Sequence, residues 1–122
     1  MARSHIPSAV VPVVDEALAF VCNLPQGDRR QRQVDVMSLV ERATKVRAIE
    51  NGVALSFDGS SDTARMVIDF VLAERDCCAQ FSYSILFAPH AGSVELSIVA
   101  GRASARPLRD LYLGLAEEKR RG

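Results

Sequence analysis

The sequence predicts an α+β fold, a two-layer sandwich in which about three helices pack on a mainly antiparallel sheet. Three observations carry this expectation. Three stretches repeat their apolar residues at helical spacing, two pairs of short alternating runs are joined by Asn-Gly or by a Pro- and Gly-containing loop, and helices and hairpins take turns along the chain. At 122 residues there is room for one hydrophobic core and hence one domain.

Residues 1–14 read as a loose N-terminal arm, because Pro7, Pro12, Ser4 and Ser8 leave no usable period; 15–118 read as the domain and 119–122 as a solvated tail. Ala17 to Cys22, "ALAFVC", is a short apolar run with the length of a buried strand, punctuated by Asn23 and Pro25. Between Gln26 and Thr44 the residues Val36, Leu39, Val40 and Ala43 mark a first helix, with Arg29, Arg30, Arg32 and Glu41 at polar positions. Asn51-Gly52 then joins two short runs and suits a type I′ hairpin turn, and Val53, Leu55 and Phe57 alternate on what should be a buried strand face.

Gly59-Ser60-Ser61-Asp62 offers a turn, a side-chain cap and an acid for the first turn of a second helix. Ala64, Val67, Ile68, Val71 and Leu72 supply its expected apolar stripe. After it, Phe81, Tyr83, Ile85 and Phe87 alternate along a strand, Pro89-His90-Ala91-Gly92 forms a loop, and Val94, Leu96, Ile98 and Ala100 line one face of the antiparallel partner. Ser104 and Pro107 suit the start of a last helix whose buried stripe is Leu108, Leu111, Tyr112 and Leu115.

Composition excludes several classes of function. Apolar residues are 48% and charged residues 25%, as in ordinary globular domains, so neither disorder nor a fibrous repeat is indicated. Lys plus Arg and Asp plus Glu number 15 each, so no global field draws the chain to nucleic acid or to an anionic membrane. The run "IPSAVVPVV" is too short and too interrupted by prolines to span a bilayer and lacks the features of a signal peptide; a cytoplasmic location is expected. Three cysteines cannot all pair within one chain, which points to thiols.

Two of those cysteines are neighbours, in "ERDCCAQF" (Glu74 to Phe81), at the joint between the second helix and the strand led by Phe81. Adjacent helical residues point about 100° apart, so one thiol can face the core and the other the surface, and a disulfide between them would be strained. Thiolates are soft ligands suited to Cu(I) and Zn(II), and on the same argument to Hg(II) and As(III). Cys22 is the natural third ligand beside Cys77 and Cys78, on the condition that the first strand lies next to the strand led by Phe81. The negative end of the helix dipole opposes thiolate formation there; Arg75 offsets it, and a bound cation would deprotonate the thiols outright. Asp76 and Tyr83 are supporting candidates.

Plainer readings stand beside these. Cysteine often fills cores as a small apolar residue. Asp76 reads most simply as a solvated helix residue, His90 as an exposed loop residue rather than a ligand, Tyr83 as core with a hydroxyl that can reach a polar neighbour, and Arg29, Arg30 and Arg32 as a solvated helix face.

The stretch "ERDCCAQFSYSILFAPHAGSVELSIVAG" resembles a motif of small bacterial proteins of the form E-R-x-C-C-P-F, followed by an aromatic-rich strand, a glycine loop and a second strand ending in Gly. An earlier Cys-x-Leu followed by arginines matches Cys22-Asn23-Leu24 and Arg29-Arg30. Some of these proteins resemble companions of mercury-resistance genes, which implies heavy-metal thiol chemistry. The likeness spans about residues 20 to 115; the usual Pro-Phe is Ala79-Gln80 here, which removes a fixed φ just after the thiols.

The expected function is therefore thiol-based binding of a soft metal or metalloid ion in the cytosol, with Cys22, Cys77 and Cys78 as ligands. The alternatives are a thiol enzyme, either redox or an organometal lyase with Asp76 as proton donor, and a structural or interaction domain with packing cysteines. No C-x-x-C is present, and no motif settles whether there is catalysis. A homodimer through an exposed sheet edge or the Leu108 helix is the expected macromolecular partnership.

Overall fold

The computed structural model describes residues 26–77 and 80–121. The chain runs α1 (Gln26–Arg42), β1 (Lys45–Ile49), β2 (Gly52–Phe57), α2 (Ser61–Cys77), β3 (Ser82–Phe87), β4 (Val94–Val99) and α3 (Arg102–Arg121). The four strands form one antiparallel sheet in the order β1-β2-β4-β3, and the helices pack on it, giving the α+β architecture expected. The arm and the "ALAFVC" run lie outside the described residues. No described helix is long and apolar enough to cross a membrane.

Pairing β2 and β3 each antiparallel to β4 makes β2 and β3 parallel to one another, with β4 inserted between them. Parallel strands need a crossover, and α2 supplies it. The sheet's inner face carries Val53, Leu55, Phe57, Val94, Leu96 and Ile98, all buried. On the outer face Arg47 of β1 reaches over β2 to Glu95 of β4 at 2.6 Å, bridging the strand that lies between them. This pair helps explain why Ala54, which the alternation placed on the open face, is fully buried.

Two helices share one pattern. On α1 the buried residues are Arg32, Val36, Leu39 and Val40, with Ala43 one residue past its end; on α2 they are Thr63, Val67, Phe70, Val71 and Glu74. Each stripe follows i, i+4, i+7, i+8, i+11, the face that a core-packed helix presents. The helices run antiparallel, since Arg32 near the start of α1 pairs with Glu74 near the end of α2, while Arg42 at the end of α1 donates to Thr63 Oγ1 at 2.6 Å near the start of α2. The expected stripe on α2 is corrected at two places: Ile68 and Leu72 are exposed, because the buried face is centred on Val67 and Phe70 and leaves them on the flank.

Local chemistry sets the boundaries. Ser60 Oγ accepts from the Thr63 amide at 3.1 Å, the expected N-cap of α2, and Asp58 Oδ1 accepts from the Ser60 amide at 2.8 Å. The β1–β2 hairpin turns on Glu50-Asn51, with Ile49 paired to Gly52. Of these residues only Asn51 has positive φ (60°), so the turn is not the type I′ anticipated at Asn51-Gly52. Gly52 is needed for a different reason: a Cβ there would overlap the Ile98 carbonyl of β4. The φ signature of a type I′ turn appears instead at Pro89-His90-Ala91-Gly92, where His90 (60°) and Ala91 (55°) are both left-handed and the Gly92 amide donates to Pro89 O at 3.1 Å.

The last helix begins earlier and ends later than its sequence cues suggest. It starts at Arg102, so Pro107 lies inside it and cannot donate to the Ala103 carbonyl. It continues through residues read as a tail, and Lys119 donates to Glu41 O and Ala43 O, each at 2.7 Å, satisfying carbonyls at the C-terminal end of α1. Leu108, Leu111, Tyr112 and Leu115 are buried as the spacing required.

Candidate functional site at the joint of α2 and β3

Phe70, Val71 and Glu74 hold the last turns of α2 on the core, and Phe81 re-enters the core on the far side of the joint. Between these anchors the chain passes from helix to strand. Cys77 is the final residue of α2; Cys22 and Cys78 lie outside the described residues. Among the described residues no group of three or more His, Cys, Asp or Glu side chains is arranged to hold a metal ion.

A groove of about 680 Å³ opens beside the joint, walled by Val71 and Arg75 of α2 and by Phe81, Ser82, Tyr83 and Ile85 of the following segment. Two of the supporting residues anticipated from sequence, Arg75 and Tyr83, therefore share one wall system. Arg75 is exposed and Tyr83 half-buried, with its ring edge-on to Phe81 at 6.5 Å between centroids. Asp76 is exposed and not part of the lining. His90 sits in its exposed turn, apart from the groove.

Beneath the joint lies a feature that sequence reasoning passed over. Glu74, the first residue of "ERDCCAQF", is only 2% exposed and forms an ion pair with Arg32, itself buried. The reading of Arg32 as part of a solvated face is thus corrected; Arg30, by contrast, is exposed. Charges so buried persist when they are paired and hydrogen-bonded, since either one alone would face a large desolvation penalty. The signal was present in the pattern: Arg32 falls four residues before Val36, and Glu74 four after Phe70, so both continue an apolar stripe with a charged residue. One positive and one negative residue on two buried stripes is a pairing that spacing alone suggests.

The pair has a geometric consequence. It fixes the N-terminal part of α1 against the C-terminal part of α2, so the positive end of one helix dipole lies beside the negative end of the other. From Arg32, α1 extends back to Gln26 in the same direction in which α2 extends forward to Cys77. The rise per residue puts those ends about 9 Å and about 4.5 Å beyond the ion pair, respectively.

Compared with known families, curated proteins and solved structures, the chain matches no family model, no curated protein and no solved structure.

Proposed function

We propose that this protein binds a soft metal or metalloid ion through Cys77 and Cys78, with Cys22 as third ligand. The observation that supports the reading most is the buried Arg32–Glu74 pair. It brings the start of α1 beside the end of α2, and Cys22 precedes Gln26 by only Asn23, Leu24 and Pro25. Four Cα steps span at most about 14 Å, a reach that suffices for Cys22 to meet the joint. The neighbouring N-terminus of α1 and the Arg75 guanidinium both counter the negative end of α2, which removes the main electrostatic objection to thiolates at this place. The likeness of "ERDCC" to the E-R-x-C-C motif points the same way.

Chemically, a soft cation would displace the thiol protons and be held by sulfur, with the groove as its route of approach. Titrating reduced protein with Hg(II), Zn(II), Cu(I) and As(III) tests this. The expected result is loss of two or three free thiols per ion, release of protons and a raised melting temperature, all abolished by Cys77→Ser with Cys78→Ser. Unchanged thiol count and melting temperature with all four ions would reject it. Retention of binding in Cys22→Ser alone would reduce the site to the adjacent pair.

A further inference from the structure

We infer that the outer groove between α1 and α2 is a docking site for a basic amphipathic helix of a partner protein. Two cross-ties hold the helices together, the Arg32–Glu74 pair toward one end and the hydrogen bond from Arg42 to Thr63 at the other. From Arg32 to Arg42 α1 rises about 15 Å, close to three turns. Along this span lies a groove of about 470 Å³, floored by Leu39, Met66, Phe70 and Ala73. It shares no lining residue with the groove at the α2–β3 joint, so it is a surface apart from the proposed ion site.

The occupant follows from the charges on the rim and the apolar surface beside it. Asp35 of α1 and Asp62 and Asp69 of α2 line the groove with one cation, Arg65, among the described residues. No salt bridge among the described residues engages these three carboxylates. Asp35 Oδ1 accepts from Gln31 Nε2 at 2.9 Å, a neutral donor that leaves its charge unbalanced. Three carboxylates against one guanidinium favour a cationic partner. A second groove of about 600 Å³ shares Ser38 and Met66 with the first and adds Val34 and Met37, which are 52% and 45% exposed outside the buried stripe of α1. Methionines in such a surface adapt to the shape of an apolar partner. A helix with apolar anchors at i, i+3 or i+4 and i+7 places them over about 10.5 Å, within the length between the two cross-ties, and its basic flanks then meet the aspartates. A second copy of this chain is disfavoured, because a two-fold axis through the groove lays the acidic rim against itself.

The test uses the full reduced chain with a chelator present and a labelled synthetic peptide of Leu and Lys, about four turns long, with its leucines on one helical face. Fluorescence anisotropy should show saturable binding that weakens as salt rises, and amide shifts in the wild-type protein should centre on Ser38, Met66 and Ala73. A peptide of the same composition with its leucines scattered should bind at least about tenfold more weakly, and Asp69→Lys or Met66→Lys should weaken binding of the original peptide by a similar factor. Asp110→Lys makes the same charge change on the exposed surface of α3 and should leave binding unaltered. Absence of binding up to about 1 mM, equal affinity for the scattered peptide, or equal weakening by Asp110→Lys overturns the inference. So do shifts centred on Arg75 and Tyr83, which would move the peptide to the joint, and self-association of the protein through Val34 and Met37, which would assign the groove to a second copy. The shift map needs no variant and decides the matter even where a substituted chain fails to fold. Because no ion is present and no thiol takes part, failure here and failure of ion binding are separate outcomes.

Discussion

The two edges of the sheet divide the molecule. At the β1 edge the structure is closed: Arg47 is tied across β2 to Glu95, Arg109 donates to Ile49 O at 3.3 Å, and Thr44 donates its amide to Ser56 O at 2.7 Å. At the other edge β3 pairs with β4, Leu86 and Phe87 are open to solvent among the described residues, and the helix feeding the strand ends in a cysteine. The first edge is held by these cross-ties. The second carries a groove, a thiol-bearing joint and a buried ion pair that holds the joint in place. The contrast teaches that the candidate site lies at the edge with fewer cross-ties among the described residues, and that a buried ion pair fixes the helix end beside it.

The largest expected effect comes from breaking the clamp. Glu74→Ala removes the carboxylate that faces the buried Arg32 guanidinium and should cost about 3–5 kcal/mol in urea denaturation, whereas the double replacement Arg32→Met with Glu74→Leu should be close to neutral or stabilising. If the single substitution is as mild as an exposed-pair deletion, the clamp does not anchor the joint. On the closed side, Gly52→Ala forces a Cβ onto the Ile98 carbonyl and should cost about 1–3 kcal/mol by thermal denaturation, with β1 and β2 amides losing protection before those of β3.

Smaller effects sharpen the contrast at the turns. Ala91→Gly relieves a left-handed alanine and should raise stability by about 0.5–1 kcal/mol, read as a higher urea midpoint at unchanged slope. The smallest effect concerns pH. The Ser60 amide and hydroxyl, with lesser help from Thr63 and the Arg42 charge, hold the Asp58 carboxyl below its ordinary value of 3.8. A carboxyl lowered in the folded state stabilises it above the unfolded pKa, and that contribution is lost as pH falls through the folded pKa. Wild type should therefore lose stability faster than Asp58→Asn as the pH drops below 3.8, and parallel curves would show that the α2 cap is indifferent to this charge.

Much of this was legible in the residues. The periods of α1, α3 and β4, the Ser60 cap and the β3–β4 hairpin follow from spacing and side-chain chemistry within a few residues of each site. Ile68 and Leu72 were misplaced because an apolar helix face wider than its contact surface does not say which flank the neighbours will cover. The Asn51-Gly52 turn was misassigned because Gly52 answers to the backbone of a strand more than forty residues away in sequence, not to its own turn. Arg75 and Tyr83, supporting candidates in the sequence, both line the groove, while the Arg32–Glu74 pair was missed because each residue is unremarkable until the other stripe is laid beside it.

The sequence by itself determined the alternation of helices and hairpins, the placing of the paired cysteines at a helix-to-strand joint and most of the apolar faces, since these depend on local periodicity and on the conformational preferences of single residues. Only the tertiary structure decided that β4 lies between β2 and β3, that α1 runs antiparallel to α2, and that Arg32 meets Glu74 under the joint. Those relations join residues far apart in the chain, where the free energy comes from burying two surfaces and two opposite charges together, and no local preference encodes which surfaces will meet.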